Sequence, residues 1–317
     1  MRKVIDPGKE RRSINFIDNI CYSHVTDLNG RPLDLYLSLM VCNGNSEMRL
    51  ADGRDDEVSI GRQPLVVWIN GAGWRGCDKN LMAAEVHYLA EHGFAVACIY
   101  YRSSAQGHFP AQLIDCKTAV RFLRAHGDEY GLDTEHVGVM GRSAGGHLAA
   151  FMAMNLEGYD SREWQGYSSE IQAAVDLFGP VDIPRLNEIS ERLIKEPGYR
   201  WHKMEETHEG ALLGGDMSTV KERGRDASPI YFINDRMCPI VIMHGDQDPL
   251  VPCEVSEDFY RRLTEAGLED RANLYILKNG GHGTREFFQP ETKKIIAEFF
   301  DRHLKMRTCT EFFLNNP

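Results

Sequence analysis

Residues 136–152 read HVGVMGRSAGGHLAAFM, and this stretch decides the fold. It contains the pattern G-x-S-x-G, with Ser143 at its centre and glycines at 141 and 145. The apolar run before the pattern predicts a short buried strand, and the run after it predicts a helix. A serine on the sharp turn between a strand and a helix lifts its hydroxyl clear of the sheet. The next amide, that of Ala144, then lies where an oxyanion would form.

The pattern by itself is weak, because glycine and serine are common residues. A glycine-rich turn that only packs tightly would look the same over five positions. What separates the two is whether an acid, a base and a second amide donor follow in the order that serine catalysis needs.

The composition fits a globular α/β protein. The chain has 317 residues, of which 42% are hydrophobic and 26% are charged, and this suits one large domain or two small ones. The net charge of −11 and the isoelectric point near 5.6 argue against nucleic acid and anionic membrane surfaces as partners, because both are negatively charged.

The sequence also bears on compartment and cofactors. No stretch approaches the roughly 20 apolar residues of a membrane span, and the basic N-terminus has no apolar run after it, so we predict no signal peptide. The eight cysteines are scattered and form no C-x-x-C pair, which predicts free thiols in a reducing cytoplasm. No metal-ligand cluster is visible, and we expect neither a metal nor a cofactor.

Strand and helix patterns alternate from about residue 64 onward, which predicts a mostly parallel central sheet with helices on both faces. Before them, two alternating segments flank Asn29-Gly30 and predict a hairpin. Residues 42–63 predict a long polar loop. Residues 181–235 are predicted to be irregular, apart from a short helix at 209–215 that a glycine ends. The predicted strands are 19–25, 32–40, 64–70, 94–100, 136–140, 172–178, 239–244 and 273–277, and the predicted helices are 78–91, 110–130, 147–152, 254–266 and 291–305.

Two aspartates follow the strand predicted at 239–244, where a parallel sheet collects its functional residues. The turn reads Gly-Asp-Gln-Asp-Pro over residues 245–249. Asp248 precedes a proline, which biases its backbone to an extended conformation and holds the carboxylate away from its own turn. We predict that Asp248 is the acid and that Asp246 braces the turn.

A histidine between two glycines follows the next predicted strand. Of the twelve histidines in the chain, His282 has both the order serine, acid, histidine and a loop that can reach a neighbouring strand end. The other histidines are predicted to be surface or packing residues. His147, in the helix after the serine, is interpreted as structural, and His244 as buried and hydrogen-bonded.

Residues 70–74 read Asn-Gly-Ala-Gly-Trp and follow the first buried strand. Lipases and esterases use a glycine-rich loop at this position to supply amides for an oxyanion, and small residues let the backbone approach closely. Gly71, Ala72 and Gly73 are therefore predicted to form the oxyanion hole together with Ala144. Asn70 stands where a histidine is common, and Ala72 replaces a glycine but still has an amide to donate.

Together these residues resemble an α/β-hydrolase of the esterase/lipase superfamily, and more closely the bacterial acetyl-xylan and feruloyl esterase-like enzymes. The resemblance covers roughly residues 15–305. The segments on which it rests are 64–74, 100–103, 109–117, 141–147, 244–252 and 280–283. It implies one α/β-hydrolase domain over residues 1–317, with Ser143 as nucleophile, Asp248 as acid and His282 as base. The same skeleton serves many acyl substrates, so the motifs do not fix the substrate.

Other residues near the predicted site leave alternatives open. Arg102 and Asp115 are predicted to pair and to brace a strand against its helix rather than to touch substrate. Trp74 would either wall the acyl pocket or pack under the sheet edge. Arg142 would either meet a polar or anionic group of the substrate or form a surface salt bridge. Residues 181–235 lie where such hydrolases carry a cap over the site, and we predict a small cap or insertion there.

These predictions favour a cytoplasmic serine carboxylesterase that works through an acyl-enzyme and acts on a small-molecule or oligosaccharide ester. Short acyl groups are favoured, with acetyl groups on xylan-type oligosaccharides first. One alternative is an amide-bond hydrolase of the same fold, either aryl-formamidase-like or serine peptidase-like. Another is a non-catalytic binding protein that kept the fold. The oligomeric state stays open.

Overall fold

The computed structural model describes residues 1–6, 13–43, 61–76 and 78–305. Within these ranges, eight strands form one sheet. They are β1 (Ser13–Thr26), β2 (Pro32–Asn43), β3 (Gln63–Ile69), β4 (Ala95–Ile99), β5 (Leu132–Arg142), β6 (Ala173–Leu177), β7 (Ile240–Gly245) and β8 (Ala272–Leu277). Their order in the sheet is β1-β2-β4-β3-β5-β6-β7-β8. The strands β1, β2 and β4 pair antiparallel, and all pairs from β4 across to β8 are parallel.

The helices cover both faces of this sheet. They are α1 (Ala83–Glu91), α2 (Ala111–Ala125), α3 (Gly127–Tyr130), α4 (Ala144–Ala153), α5 (Ile183–Leu193), α6 (His208–Leu213), α7 (Met217–Asp226), α8 (Glu254–Glu265) and α9 (Pro290–Leu304). One buried cluster joins the sheet to α2, α4 and α8, and a second joins its other face to α1 and α9. The predicted α/β fold with a mostly parallel sheet is confirmed.

The chain order across the sheet explains where a site can form. From β3 the chain crosses to β4 on one side and then returns to β5 on the other side. The connections therefore diverge above the carboxyl ends of β3 and β5, which leaves a crevice at this edge of the sheet. The turns after β3, β5, β7 and β8 all lie at that edge.

Several element predictions differ from the structure in their bounds. The helix predicted over 110–130 is broken, because His126 leaves the helical conformation between α2 and α3. At Gly127 the chain passes so close to Thr134 that a Cβ would lie 2.3 Å from its Cγ2 atom. The helix predicted over 78–91 begins later, at Ala83. The loop predicted over 42–63 lies mostly outside the described residues, and its ends belong to β2 and β3.

The segment 181–235, here called the cap segment, is largely helical, and the prediction that it is irregular was wrong. Each of its three helices α5, α6 and α7 begins at a side-chain N-cap, and the capping residues are Asp182, Thr207 and Asp216. Such caps stabilise short helices, because the capping side chain accepts from a first-turn amide that has no partner within the helix. The short helix predicted to end at a glycine is confirmed as α6, since Gly214 ends it with a φ of 74°.

Candidate active site

Ser143 follows the last residue of β5 and lies on a strained turn. Its φ of 52° and ψ of −122° are rare for any residue other than glycine. The turn requires glycine on both sides. A Cβ at Gly141 would lie 2.1 Å from the carbonyl oxygen of Gly145, and a Cβ at Gly145 would lie 2.0 Å from that of Ile69. The serine hydroxyl is thereby presented at the sheet edge, beside the N-terminus of α4.

The structure brings Ser143, His282 and Asp248 into one hydrogen-bonded chain. The Oγ atom of Ser143 lies 2.8 Å from Nε2 of His282, and Nδ1 of His282 lies 2.7 Å from Oδ2 of Asp248. A neutral imidazole with its proton on Nδ1 satisfies both bonds, because Nε2 then accepts from the serine hydroxyl. This is the arrangement in which a histidine removes a proton from serine.

The Asp248 carboxylate is buried and remains ionised. Burial by itself raises the pKa of this carboxyl, but hydrogen bonds from His244 and His282 outweigh burial and hold the pKa well below its usual range. Its Oδ1 atom accepts from the backbone amides of Leu250 and Val251, at 2.8 and 3.0 Å. The negative charge is therefore fixed in direction, with Oδ2 toward His282.

His244 supports Asp248 in a way that the sequence did not reveal. Its ring is fully buried, and its Nε2 atom lies 3.3 Å from Oδ2 of Asp248 and 2.8 Å from the carbonyl oxygen of Val251. Its Nδ1 atom lies 2.7 Å from the hydroxyl of Ser256. The interpretation of His244 as buried and hydrogen-bonded is correct, but its contact with Asp248, four residues later across the turn, was not predicted.

Asp246 lies at the same strand end and points elsewhere. It is exposed, and its Oδ1 atom accepts from the backbone amide of Asn279 at 2.7 Å. This bond ties the turn after β7 to the turn after β8. The geometry agrees with the predicted division of roles, in which Asp248 faces the histidine and Asp246 braces the turns.

The segment after β3 passes directly beside Ser143. A Cβ at Gly71 would lie 2.5 Å from the Arg142 carbonyl oxygen and 2.8 Å from Cβ of Ser143. The Gly71 amide donates to Oδ1 of Asn70 at 3.0 Å, which leaves the amides of Ala72 and Gly73 as the candidate oxyanion donors of this segment. The Ala144 amide lies on the other side, in the first turn of α4.

Trp74 is fully buried beneath the cap segment. Its ring belongs to a cluster with Ala144 and with residues of α6 and α7, including Leu212 and Met217. Its Nε1–H group donates to Nδ1 of His147 at 3.2 Å. Trp74 therefore lies between Ala144 and the cap segment.

His147 is structural by its contacts, and it is held in the neutral form. Its Nε2–H group donates to the Ala227 carbonyl oxygen at 2.8 Å, while Nδ1 accepts from Trp74. Burial lowers the pKa of His147 from 6.5 to about 4, against the opposing effect of the Ala227 bond. A second proton on the ring would have to be on Nδ1. That N–H would face the N–H of the Trp74 indole, and two donors cannot hydrogen-bond with each other.

Replacing His147 with glutamine should reduce the loss of the free energy of unfolding that occurs as pH falls. Because the folded pKa is below the unfolded value, the unfolded chain binds its proton first as pH falls, and stability is lost between about pH 6.5 and pH 4. This residue should account for up to about 3 kcal/mol of that loss. Urea unfolding at pH 7.5 and pH 5 measures the difference, with His202→Gln, an exposed histidine of the cap segment, as the control. Equal losses in wild type and His147→Gln would contradict the assignment.

Arg142 points toward the histidine turn rather than away from the site. It is half-buried, and a Cβ at Gly283 would lie 3.5 Å from its Nη2 atom. Arg102 and Asp115 form the predicted brace, since the guanidinium makes contacts of 2.6 to 3.1 Å with a fully buried carboxylate. Arg142 therefore lies beside the loop that carries His282, whereas Arg102 joins the loop after β4 to α2.

One group of described residues could hold a metal ion, and it lies on the antiparallel edge of the sheet. Cys21, His24 and Asp34 each offer a ligand atom within 4.8 Å of the others. Nδ1 of His24 lies 2.7 Å from Oδ1 of Asp34, so an exposed ion pair accounts for most of this proximity. The group belongs to β1 and β2, whereas the candidate active site lies at the ends of β3, β5, β7 and β8.

The sheet, the strained serine turn and the hydrogen-bonded chain define an α/β-hydrolase. The family model BD-FAE matches residues 56–263, which is more than half of the chain, and the protein belongs to this family. The resemblance stated from the motifs is confirmed at the level of fold and family.

Two relatives of this chain are named as ester hydrolases. LipM of Mycobacterium tuberculosis, named a probable carboxylic ester hydrolase, is 29% identical over 216 residues, which cover 67% of this chain and 47% of LipM. ICMEL1 of Arabidopsis thaliana, named a probable isoprenylcysteine alpha-carbonyl methylesterase, is 26% identical over 77% of this chain and 50% of its own length. The chain thus spans about half the length of the curated relatives it matches.

Solved structures agree with the fold. A truncated form of a carbohydrate esterase from gut microbiota matches with a TM-score of 0.74 and 25% identity over 93% of this chain and 98% of that one. Esterase 2 of the planctomycete Thermogutta terrifontis matches with a TM-score of 0.64 and 22% identity over 92% of both chains, and this likeness concerns the fold alone.

Among the described residues, no helix has the length and apolar character needed to span a bilayer.

Proposed function

We propose that this protein is a serine carboxylesterase that hydrolyses short-chain acyl esters, with acetyl groups on xylan-type oligosaccharides as the first substrates to test. The observation that carries the proposal is the chain of bonds from Ser143 through His282 to Asp248. This chain of bonds starts from a hydroxyl on a strained turn, and the backbone of Gly71 passes directly beside it.

In the proposed mechanism, these residues carry out acyl transfer in two stages. Ser143 Oγ attacks the ester carbonyl carbon while His282 Nε2 takes the hydroxyl proton, and Asp248 stabilises the imidazolium. The carbonyl oxygen becomes an oxyanion between the amides of Ala72 and Ala144. His282 then gives its proton to the leaving alcohol as the ester C–O bond breaks, which leaves the acyl group on Ser143. A water molecule attacks the acyl carbon while His282 takes its proton. The bond from the acyl carbon to Ser143 Oγ then breaks, Oγ takes the proton back from His282, and the acid leaves.

The names of the relatives support an ester substrate rather than an amide. LipM, ICMEL1 and the gut-microbiota structure are named as a carboxylic ester hydrolase, a methylesterase and a carbohydrate esterase. The carbohydrate esterase matches almost the whole of both chains, and it is the basis for placing acetylated oligosaccharides first.

A fluorophosphonate probe followed by a substrate comparison tests the proposal. Intact-mass analysis should show one probe per chain in the wild type and none in Ser143→Ala. Acetylated xylo-oligosaccharide should then be deacetylated faster than N-formyl aromatic amides or peptides are cleaved. The opposite preference would identify an amide-bond hydrolase, and absence of labelling would identify a binding protein without catalysis.

Acetyl and propionyl esters should exceed octanoyl esters in kcat/KM. Trp74 fills the space between Ala144 and the cap segment, so a longer acyl chain has little room there. Trp74→Ala should extend the range to longer chains and weaken acetyl turnover. A lost contact of this kind is worth about 1–3 kcal/mol, so the ratio of rates should change by roughly tens-fold. A chain-length series of p-nitrophenyl esters on both proteins measures this.

The control for this series is Trp74→Phe, which keeps a large ring but loses the N–H donated to His147. It should retain the wild-type chain-length preference. Thermal unfolding of both variants is needed because emptying a buried indole site costs stability, about 3–5 kcal/mol in protein cores. A wild-type optimum at long chains would mean an open groove, and the acetyl-esterase proposal would be rejected.

A further inference from the structure

Arg75 joins the turn beside the nucleophile to the cap segment. It directly follows Trp74, and its backbone amide closes the turn by donating to the Ala72 carbonyl oxygen at 3.0 Å. Its guanidinium reaches the cap segment at the start of α6. Nη2 donates to the carbonyl oxygens of Glu206 and Thr207, and Nε donates to Nδ1 of His208 at 3.1 Å. One side chain therefore makes three bonds across this boundary.

His208 contacts the same turn from the cap side. A Cβ at Gly73, whose φ is 56°, would lie 2.1 Å from Nδ1 of His208, so the imidazole occupies the space that any larger residue would need. The ring also hydrogen-bonds with the Gly73 backbone, and it interacts electrostatically with His282. Burial, followed by the charges of Arg75 and Arg200, lowers the pKa of His208 to about 4. The ring is therefore neutral near pH 7, and Nδ1 can accept from Arg75.

Trp201 holds the cap side of this contact in place. Its ring meets that of His208 edge-on, with 4.7 Å between centroids. The guanidinium carbons of Arg200 and Arg75 lie 4.6 and 5.7 Å from its centroid, which is within reach of cation–π attraction. His208 is thus fixed between an aromatic ring in the cap segment and a glycine in the turn.

We propose that Arg75 and His208 form a latch between the cap segment and the 71–73 turn, and that both are positioning residues that hold the Ala72 and Gly73 amides in the geometry an oxyanion needs. This inference rests on the proposed function. Its physical basis is that a turn with glycine at positive φ has a wide choice of conformations, whereas amide donors stabilise an oxyanion only when they are preorganised. The cap segment would thereby complete the site as well as cover it.

Three variants separate positioning from packing. His208→Phe keeps a ring against Trp201 and Gly73 but leaves Arg75 Nε without its acceptor. His208→Asn is smaller but keeps an acceptor. Arg75→Gln removes the guanidinium group that donates to the carbonyl oxygens of Glu206 and Thr207. The matched control is Arg185→Gln, which changes an exposed arginine of α5 that pairs with Glu188.

The measurements are kcat and KM for p-nitrophenyl acetate, and the affinity for phenylboronic acid. This acid accepts the Ser143 oxygen at boron and forms a tetrahedral anion, so its affinity reports on the oxyanion site. We expect His208→Phe and Arg75→Gln to lower kcat by roughly 10- to 100-fold, with KM changed less than about threefold, and to weaken the boronic acid by a similar factor. His208→Asn should retain most of both, and Arg185→Gln should match the wild type.

Wild-type kcat and boronic acid affinity in both His208→Phe and Arg75→Gln would overturn the latch. Equal losses in His208→Asn and His208→Phe would assign the residue to packing alone. If His208→Phe does not fold, Arg75→Gln decides by itself. A wild type that binds the boronic acid but turns over no ester would reject the esterase proposal and leave the latch to be judged by the boronic acid series.

Discussion

Ser143→Ala is expected to lower kcat by roughly four to six orders of magnitude while leaving the protein folded. The hydroxyl supplies the bond to the acyl carbon, and no other described group occupies its place at Nε2 of His282. The fold should survive because alanine meets the same backbone strain at this φ as serine does, and its Cβ fits the same space. Steady-state hydrolysis of p-nitrophenyl acetate and thermal unfolding measure both effects.

His282→Ala should lower kcat about as much, and the double variant Ser143→Ala/His282→Ala should be little worse than either single variant. This follows because nucleophile and base act in one step, so removing either removes the whole contribution. Retention of even a tenth of the wild-type activity in Ser143→Ala would show that the nucleophile is another residue.

Much of this site could be predicted because its parts are local. The strained turn at Ser143 needs small neighbours, the proline after Asp248 fixes an extended backbone, and glycines surround His282. Each of these signals occupies a few consecutive residues. The parallel sheet then brings them together, since the carboxyl ends of its strands share one edge.

The contacts that support the site could not be predicted, because they join residues distant in sequence through packing. His208 lies against Gly73, 135 positions away in the sequence, and Arg75 donates to His208 at 3.1 Å, so neither contact leaves a local signal. The helices of the cap segment did leave a signal in their capping residues. What no local signal gives is their packing against Trp74, because Ile183, Leu212 and Met217 join one cluster with this distant residue.

Asp248→Asn is expected to lower kcat by roughly 10⁴-fold, the second large effect at this site. The backbone amides of Leu250 and Val251 hold Oδ1 as an acceptor. The new amide group therefore takes the place of Oδ2 and presents N–H to His282 Nδ1. The imidazole must then accept at Nδ1 and carry its proton on Nε2, where it can no longer take the proton of Ser143. The pH dependence of kcat/KM and the near-native thermal unfolding of the variant separate this loss from misfolding.

Asp246→Asn is the matched control, because it makes the same chemical change two residues away on the same turn. Its oxygen can still accept from the Asn279 amide, and exposed substitutions of this kind usually change stability by less than about 0.5 kcal/mol, so kcat should stay within about twofold of the wild type. The contrast between the two variants depends on direction, since only Asp248 faces the histidine. A larger loss in Asp246→Asn than in Asp248→Asn would assign the acid to Asp246. The His282 side chain would then have to face Asp246 instead of Asp248.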